Sequence, residues 1–501
     1  MKKVRSFRFP HDSMGNIGAR GATGFWLLDI DEHRTLILLR SVSAYLANRF
    51  RAFTYKQQPA LTEVHQTMVQ FNWLFALFLM VYIGQTLFST WLDSINIMHS
   101  IGSGKVPPGF EDFIDGSKLN QMHVYTQAQN RFGIFEGITS DLVLLVILVS
   151  GFLPLVESFS ARLGFSVIPS GLFFFFVPGT IQFLAELPFS YYHTFAIEQK
   201  FGFNRSTRKL WIADHMKSAS LSVLIFAALF SLLLLIVEAS PRFWWFWGFL
   251  IVASVQFLLA VLYPILIAPL FNRFEPVRDE LLATKITALM AANGIRVKKI
   301  LQMNAGLRSR HTNAYFTGLG KTKQIVLYDT LLESHTQDEI LAVLAHEAGH
   351  FRKKHVIKQL VIFAVFSFAA FYATYFLVRW PLLYSTFAFT APMSYVGFYL
   401  AGIFWQKAIF FLHPVYMELS RRFEREADGF AVNMLGTAQP MVSALKRLAA
   451  DNLSNLNPHP LYVWFHYSHP SIVERVSSLE TAGSNLRADT SADMDREGRK
   501  T

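Results

Sequence analysis

The chain has 501 residues, of which 52% are hydrophobic and only 16% are charged, whereas about a quarter of the residues in soluble domains are charged. It contains no cysteine, which excludes disulfides and thiolate metal sites, so a bound metal must have nitrogen and oxygen ligands. The net charge of +11 is typical of a membrane protein with basic residues at its cytosolic span ends, and we expect no nucleic-acid binding.

Residues 1–70 form an N-terminal extension that is predicted to be partly disordered and partly amphipathic. Its first 24 residues are basic but lack the apolar core of a secretory signal. The stretch 36–50, "LILLRSVSAYLANRF", fits an amphipathic helix on a membrane surface and equally an ordinary structural helix.

Long apolar blocks follow, and they predict a polytopic membrane protein. Five blocks lie in 71–270 and two in 359–417. The predicted spans are 71–92, 139–158, 164–185, 218–237, 243–268, 359–378 and 394–417. With seven spans, the basic segments 186–217 and 269–358 share one face with the C-terminal tail, and the charge bias makes that face cytosolic.

Two polar regions are long enough to fold outside the bilayer. In 271–358, a helical segment precedes three strand-like runs, "VKKILQM", "NAYFTG" and "QIVLYD", and the last two are spaced as a β-hairpin. A helix should begin at Thr336, whose pairing with Glu339 makes a capping box, and continue into the sixth span. Residues 418–482 are predicted to be helical, and 483–501 to be a disordered tail.

The helix that begins at Thr336 contains the motif "HEAGH". His346 and His350 are four residues apart, so they lie on one helical face and can bind the same ion. Glu347 projects beside them, as does the carboxylate that accepts a proton from water in zinc metallopeptidases. Five residues with three fixed are a weak signal, which the helical context strengthens.

A zinc site needs a third protein ligand and an open position for water. The segment "SRRFEREADGF" offers Glu424 as that ligand, with Asp428 one turn later to orient a ligand imidazole. Alternatively, Arg421 and Arg425 pair with these two acids along an ordinary charged helix. The alternative is preferable for the segment alone, and the upstream motif reverses the preference.

The motifs "NAYFTGL", "LAHEAGH", "SRRFEREADGFA" and "HYSHPSIVERV" closely resemble those of the integral-membrane type I CaaX prenyl endopeptidases, which are zinc proteases. The resemblance extends to "RFGIFEG" and "LPFSYYHTFAIEQKFGFNRSTRKLW" and covers residues 70–480. It implies a mainly α fold, in which about seven transmembrane helices enclose a chamber. A cytosolic α+β zinc-metallopeptidase domain of gluzincin type caps that chamber.

The resemblance also assigns roles. It implies one Zn²⁺ per chain, general-base catalysis, a carboxylate behind the ligands, backbone and oxyanion contacts near the metal, and a substrate-binding edge strand. The corresponding residues are His346, His350 and Glu424 for the metal; Glu347 for the base; Asp428 behind the ligands; His469 and Arg475 near the metal; and Asn313, Ala314 and Tyr315 on the strand.

Several of these residues have ordinary interpretations without the resemblance. Asn313 would form a turn, His469 would cap a helix before Pro470, and Arg475 would make a surface salt bridge. His355 and the basic residues 352–354 are predicted to be interfacial anchors whose side chains reach the headgroups.

The expected reaction is removal of the C-terminal tripeptide from a prenylated CaaX protein by a monomer in the lipid bilayer. The short stretch between "DTLLE" and "EILAV" resembles compact bacterial members, so the membrane is either bacterial inner membrane or endoplasmic reticulum and inner nuclear membrane. One alternative is a quality-control metalloprotease of the HtpX type, although those proteins have fewer spans. Another is an inactive scaffold or a transporter, which would have no need to retain Glu347.

Overall fold

The structure is a computed structural model that describes residues 69–102, 104–317 and 322–498, with side chains described as far as residue 485. The predicted N-terminal extension, including the helix at 36–50, therefore lies outside the described residues apart from its last two positions. Most of the described chain is helical.

Seven described helices are long and apolar enough to cross a membrane, as predicted. These are α1 (Trp73–Gly102), α2 (Gly116–Val149), α4 (Val167–Tyr192), α5 (Arg208–Ala239), α6 (Trp244–Leu262), α10 (His355–Leu377) and α12 (Ser394–Leu435). Helix α4 continues as a π-helical turn, His193–Glu198, and α6 continues through another, Tyr263–Ile267, into the helical turn Ala268–Phe271.

The second span differs from its predicted bounds of 139–158. Helix α2 ends at Val149, Gly151 has a left-handed backbone (φ +81°), and the separate helix α3 covers Phe152–Arg162. Glycine adopts this conformation at little steric cost. Pro154 then falls in the first turn of α3, where its missing N–H costs nothing.

The region between the fifth and sixth spans contains a four-stranded sheet with the order β1-β2-β4-β3. The strands are β1 (Phe274–Pro276), β2 (Arg296–Met303), β3 (Ala314–Thr317) and β4 (Thr322–Tyr328). Strands β3 and β4 pair antiparallel, so the predicted hairpin is present, whereas β2 and β4 run parallel. Strand β3 is an edge strand of this sheet.

Shorter helices complete the domain around the sheet and the end of the membrane bundle. They are α7 (Glu280–Ala292), α8 (Asp329–Ser334), α9 (Gln337–Arg352), α11 (Pro381–Thr386), α13 (Gln439–Asp451), α14 (Pro460–His466) and α15 (Ile472–Gly498). Leu282, Ile286 and Ile325 are almost fully buried in the core between α7, α9 and the sheet. That core fixes α9 against the sheet.

Two sequence predictions on helix ends are wrong. Helix α9 does not continue into the sixth span, because it ends at Arg352 and Lys354 takes a left-handed conformation (φ +57°) before α10 begins. The tail predicted as disordered over 483–501 is helical as far as Gly498, since α15 continues through it. No glycine or proline marks the turn between α9 and α10, and none indicates that α15 continues through the tail.

Candidate metal centre

Helix α9 begins at the predicted capping box. The Thr336 N–H donates to the Glu339 carboxylate (2.8 Å), and the Glu339 N–H donates to the Thr336 hydroxyl (3.3 Å). The helix then packs closely on α12 at Gly349, where an added Cβ would lie 2.9 Å from Ala427 Cα. This contact brings the second half of α12 against the "HEAGH" motif.

The contact places three ligand groups around one point. His346 Nε2 lies 3.1 Å from His350 Nε2 and 3.2 Å from Glu424 Oε2, and His350 Nε2 lies 3.3 Å from Glu424 Oε1. Four ligands at about 2.05 Å from a tetrahedral zinc ion are about 3.3 Å apart. The three residues therefore fit a zinc ion.

The partners of the two ligand imidazoles suit the tautomer in which Nε2 binds a metal. His346 Nδ1 is 2.8 Å from Asp428 Oδ1, and His350 Nδ1 is 2.9 Å from His355 Nδ1. If each Nδ1–H donates to that partner, both Nε2 lone pairs point towards Glu424. Glu424 Oε2 is buried and makes no hydrogen bond, as expected for an oxygen that binds a cation.

Asp428 is itself fixed by Arg475. The guanidinium donates to both carboxylate oxygens, at 2.6 and 2.9 Å, and the two side chains are about nine-tenths buried. Arg475 thus lies behind His346, where it can position Asp428. This is a different place from the oxyanion contact that the family resemblance implied.

The alternative interpretation of the α12 charges is wrong. Arg421 and Arg425 both donate to Glu418 at 2.8 Å and pair with neither Glu424 nor Asp428. Arg421 also donates to three backbone carbonyls at the end of α14. The two acids are therefore left for the histidines.

The prediction that His355 is an interfacial anchor is wrong. It is 1% exposed, stacks on Phe423 with ring centroids 4.3 Å apart, and has its Nε2 3.1 Å from Glu426 Oε2. The left-handed turn at Lys354 folds this ring back towards His350. A local sequence pattern could not show this, because the turn uses lysine and not glycine.

The electrostatics of the centre suit a cation and a base. Burial alone would lower the pKa of His346, but the carboxylates of Asp428 and Glu424 raise it to about 9, so the surroundings favour a positive charge here. Burial raises the pKa of the Glu347 carboxyl above its ordinary value. A carboxylate with a raised pKa is a better proton acceptor near neutral pH.

Of the remaining predicted residues, His469 reaches a metal ligand, whereas Asn313, Ala314 and Tyr315 lie at the start of strand β3. His469 Nε2 lies 3.3 Å from Glu424 Oε1 with a side chain 54% exposed, and Ser468 Oγ lies 2.8 Å from its Nδ1. Asn313 is exposed directly before β3, where its Oδ1 accepts from the Ala314 N–H (2.8 Å). Ala314 is buried, Tyr315 is half-buried, and β3 packs against α9.

Comparisons with known proteins agree with this architecture. A family model described as the CAAX prenyl protease N-terminal, five membrane helices, matches residues 96–273, and that of peptidase family M48 matches residues 276–482. CAAX prenyl protease 1 of Saccharomyces cerevisiae is 34% identical over 75% of this chain and 88% of its own length. A homologue from Oryza sativa is 35% identical over 79% and 95%.

A solved structure extends the likeness to three dimensions. The crystal structure of S. mikatae Ste24p superposes with a TM-score of 0.76 at 33% identity, covering 80% of this chain and 97% of that one. The predicted fold, seven spans around a chamber with a peptidase domain, is thereby confirmed. The M48 match also confirms the predicted metalloprotease class.

The bacterial-like character expected from the short "DTLLE"–"EILAV" stretch stays a prediction, because the named relatives are eukaryotic. The chain belongs to the M48 peptidase family and, within it, to the membrane-embedded CAAX prenyl proteases.

Proposed function

We propose that the chain is a zinc-dependent endopeptidase that removes the C-terminal tripeptide from a prenylated CaaX protein on the cytosolic side of its membrane. The observation that carries the proposal is the meeting of His346, His350 and Glu424 around one point, with Glu347 on the adjacent helical position. The similarity to CAAX prenyl protease 1 and its homologue supports the substrate class.

A Zn²⁺ ion held by His346, His350 and Glu424 would supply a Lewis acid that polarises the scissile carbonyl and lowers the pKa of water. Glu347 accepts the proton of the attacking water and passes it to the departing amine. His469, half-exposed beside Glu424, donates a hydrogen bond to the developing oxyanion, a contact whose loss costs about 3–4 kcal/mol of barrier. Arg475 acts indirectly by fixing Asp428.

The substrate peptide adds to the edge strand β3, since an exposed strand edge offers backbone hydrogen bonds to an extended peptide. Asn313 lies at the beginning of that edge and contacts the peptide. Only two residues separate the end of α9 from the start of α10, the sixth span. The metal centre therefore lies close to the bilayer surface. This placement suits a substrate whose lipid stays in an apolar setting while its peptide end is cut.

The basic segments beside the spans support a cytosolic active site. We place the protein, as a monomer, in the endoplasmic reticulum and inner nuclear membrane, because its named relatives are eukaryotic. No observation favours an HtpX-like protease, a scaffold or a transporter.

The test is cleavage of a farnesylated CaaX peptide by the purified full-length protein, with products mapped by mass spectrometry. Glu347→Gln should retain its metal but lose at least about 100-fold in kcat, the usual contribution of general acid–base catalysis. Glu474→Gln, an exposed glutamate on α15, is the matched control and should retain activity. A metal chelator should abolish cleavage by the unaltered protein.

Two outcomes would contradict the proposal. Retention of activity by Glu347→Gln would exclude this mechanism, and equal cleavage of an unprenylated peptide would exclude the substrate class.

A further inference from the structure

The segment that leads into β3 is held by the loop between α4 and α5. The Arg205 N–H donates to the Arg308 carbonyl, and the Arg310 N–H donates to the Phe203 carbonyl, both at 3.1 Å. Asn204 and Ser309 form the antiparallel bridge between these two contacts. The membrane region thus contributes a single β-bridge beside the chain that enters the substrate edge.

Glu198, the last residue of the π-helical turn after α4, is buried. It lies next to the bridge, because its carbonyl accepts hydrogen bonds from the Phe203 and Asn204 N–H groups. Its Oε1 accepts hydrogen bonds from the Tyr125 hydroxyl (2.7 Å) and the Gln129 amide (3.0 Å) of α2. Its Oε2 lies 3.3 Å from His311 Nε2. π-Helical turns within α-helices are frequent at functional sites.

Three contacts besides Glu198 hold His311, which lies two residues before Asn313 and is 42% exposed. Its Nδ1 lies 2.9 Å from Asn452 Oδ1, after α13, and its ring stacks on Phe203 with centroids 4.4 Å apart. Its carbonyl oxygen accepts a hydrogen bond from the Thr330 hydroxyl at 2.9 Å. Both ring nitrogens therefore face an oxygen, an arrangement that the doubly protonated imidazolium satisfies.

We propose that Glu198 and His311 form a positioning pair that fixes the start of β3 in the geometry required to receive the substrate peptide. The pair connects the membrane helices with the start of β3. Asn452 connects His311 with the C-terminal region after α13. The inference rests on the proposed function in one respect, the binding of peptide along β3. Neither residue touches the metal ligands or the reacting atoms.

The pair makes the edge sensitive to pH. The hydrogen bond with Glu198 raises the pKa of His311 above its ordinary value of 6.5. The stabilisation is complete below pH 6.5 and is lost as the pH rises through the raised pKa. The other titratable groups facing Glu198 are Tyr125, at 2.7 Å, and His193, whose Nε2 lies 4.0 Å from Oε1.

The first measurement is hydrogen exchange of the β3 amides in the full-length protein, which needs neither a substrate nor activity. Glu198→Gln keeps the shape of the side chain but removes its charge, and should speed exchange in 312–317. In the unaltered protein, protection of these amides, corrected for intrinsic rates, should fall as the pH rises from 6 to 9. His311→Gln should abolish that pH dependence.

The second measurement is a kinetic separation with the farnesylated peptide. In Glu198→Gln, the conformation of β3 that binds peptide should be populated less often. If it is populated about a tenth of the time, KM rises about tenfold while kcat stays nearly constant. Metal content should not change. Glu480→Gln, which removes the charge of an exposed acid paired with Lys446, should leave KM unchanged.

Unchanged exchange of β3 in Glu198→Gln would overturn the inference, whatever the substrate proves to be. So would faster exchange accompanied by a loss of kcat and metal with KM unaltered, because that result describes a purely structural ion pair. Failure of the proposed function is distinguishable, since the unaltered protein would then leave the farnesylated peptide uncut while the exchange results still decide on the pair.

Discussion

The two ligand histidines are oriented from behind by unlike groups. A buried Asp428 faces His346, whereas His350 faces a second imidazole, His355, whose far nitrogen is bonded to Glu426. Partners of this kind set the tautomer and the basicity of a ligand, and their loss typically costs about 10–100-fold in metal affinity. His355 and Glu426 therefore belong to the centre although neither reaches the ligand point.

We expect His355→Phe to weaken metal binding about tenfold or more, since phenylalanine retains the stacking on Phe423 but leaves His350 Nδ1 without an acceptor. Glu426→Gln should give a smaller change of the same sign. The measurement is retained metal after dialysis against graded chelator, by elemental analysis. Glu474→Gln provides the control for the change of charge, and equal retention in all three variants would remove His355 from this role.

At this scale, helical periodicity predicts that His346 lies beside His350 and that Glu424 lies beside Asp428. The assignment of both pairs to one metal, with Glu347 as the base, rests on the zinc-peptidase motif and the family resemblance. The sequence did not allow the roles of His355, Glu198 and His311 to be predicted. Those contacts depend on a left-handed lysine, a π-helical turn and a loop pairing, none of which has a clear local signal.

Among the elements, the crossing of α9 over α12 decides whether the centre can form. Gly349 and Ala427 let the two backbones approach, and this brings Glu424 within 3.3 Å of both ligand nitrogens. The glycine lies in the last turn of α9, where it costs up to about 1 kcal/mol relative to alanine. The close contact offsets that cost.

Gly349→Ala should therefore destabilise the protein despite its gain in helix propensity. The new Cβ would meet backbone atoms of Ala427, which cannot rotate away, and overpacking of this kind costs about 1–3 kcal/mol. Gly429→Ala is the matched control, because this α12 glycine has open space around its Cβ position and should gain up to about 1 kcal/mol. Thermal unfolding of both variants provides the measurement, and shifts of the same sign would refute the argument.

In the molecule as a whole, a buried ion pair joins three spans. Lys407 of α12 is 4% exposed and donates to Asp141 of α2 (2.6 Å) and Gln85 of α1 (2.7 Å). Thr86 of α1 donates to the same aspartate, and the Lys407 amine lies 4.1 Å from the Tyr82 ring centroid. Charged residues inside membrane spans are rare and usually paired.

Lys407→Met should lower the free energy of unfolding by up to about 3–5 kcal/mol, because it leaves the Asp141 carboxylate, which is only 22% exposed, without its cation. Adding Asp141→Asn should recover much of that loss, since the double variant buries no charge. Unfolding in detergent, followed by heat or denaturant, would measure both effects. If the double variant were no more stable than Lys407→Met alone, the pairing would not be the cause.

Hydropathy predicted the seven spans because length and apolarity are what a bilayer selects. It did not predict how those spans pack, since long-range pairs such as Lys407 with Asp141 leave no periodic trace. The break within the second span was also missed, although Gly151 and Pro154 were visible in the sequence. Hydropathy averages over a window and so passes across such a turn.

Helix α12 runs without interruption for 42 residues, about 63 Å at the usual rise per residue. Its first half crosses the bilayer and its second half carries Glu424 and Asp428, with no loop between them to absorb a change of angle. A tilt of about 5° in the lipid-embedded part would displace Glu424 by about 2 Å if nothing restrained it, and hydrophobic mismatch is met by such tilts. Pro414 lies between the two halves and removes one helical hydrogen bond, so the thickness of the host membrane and the coordination geometry are linked through one helix that can bend at that residue.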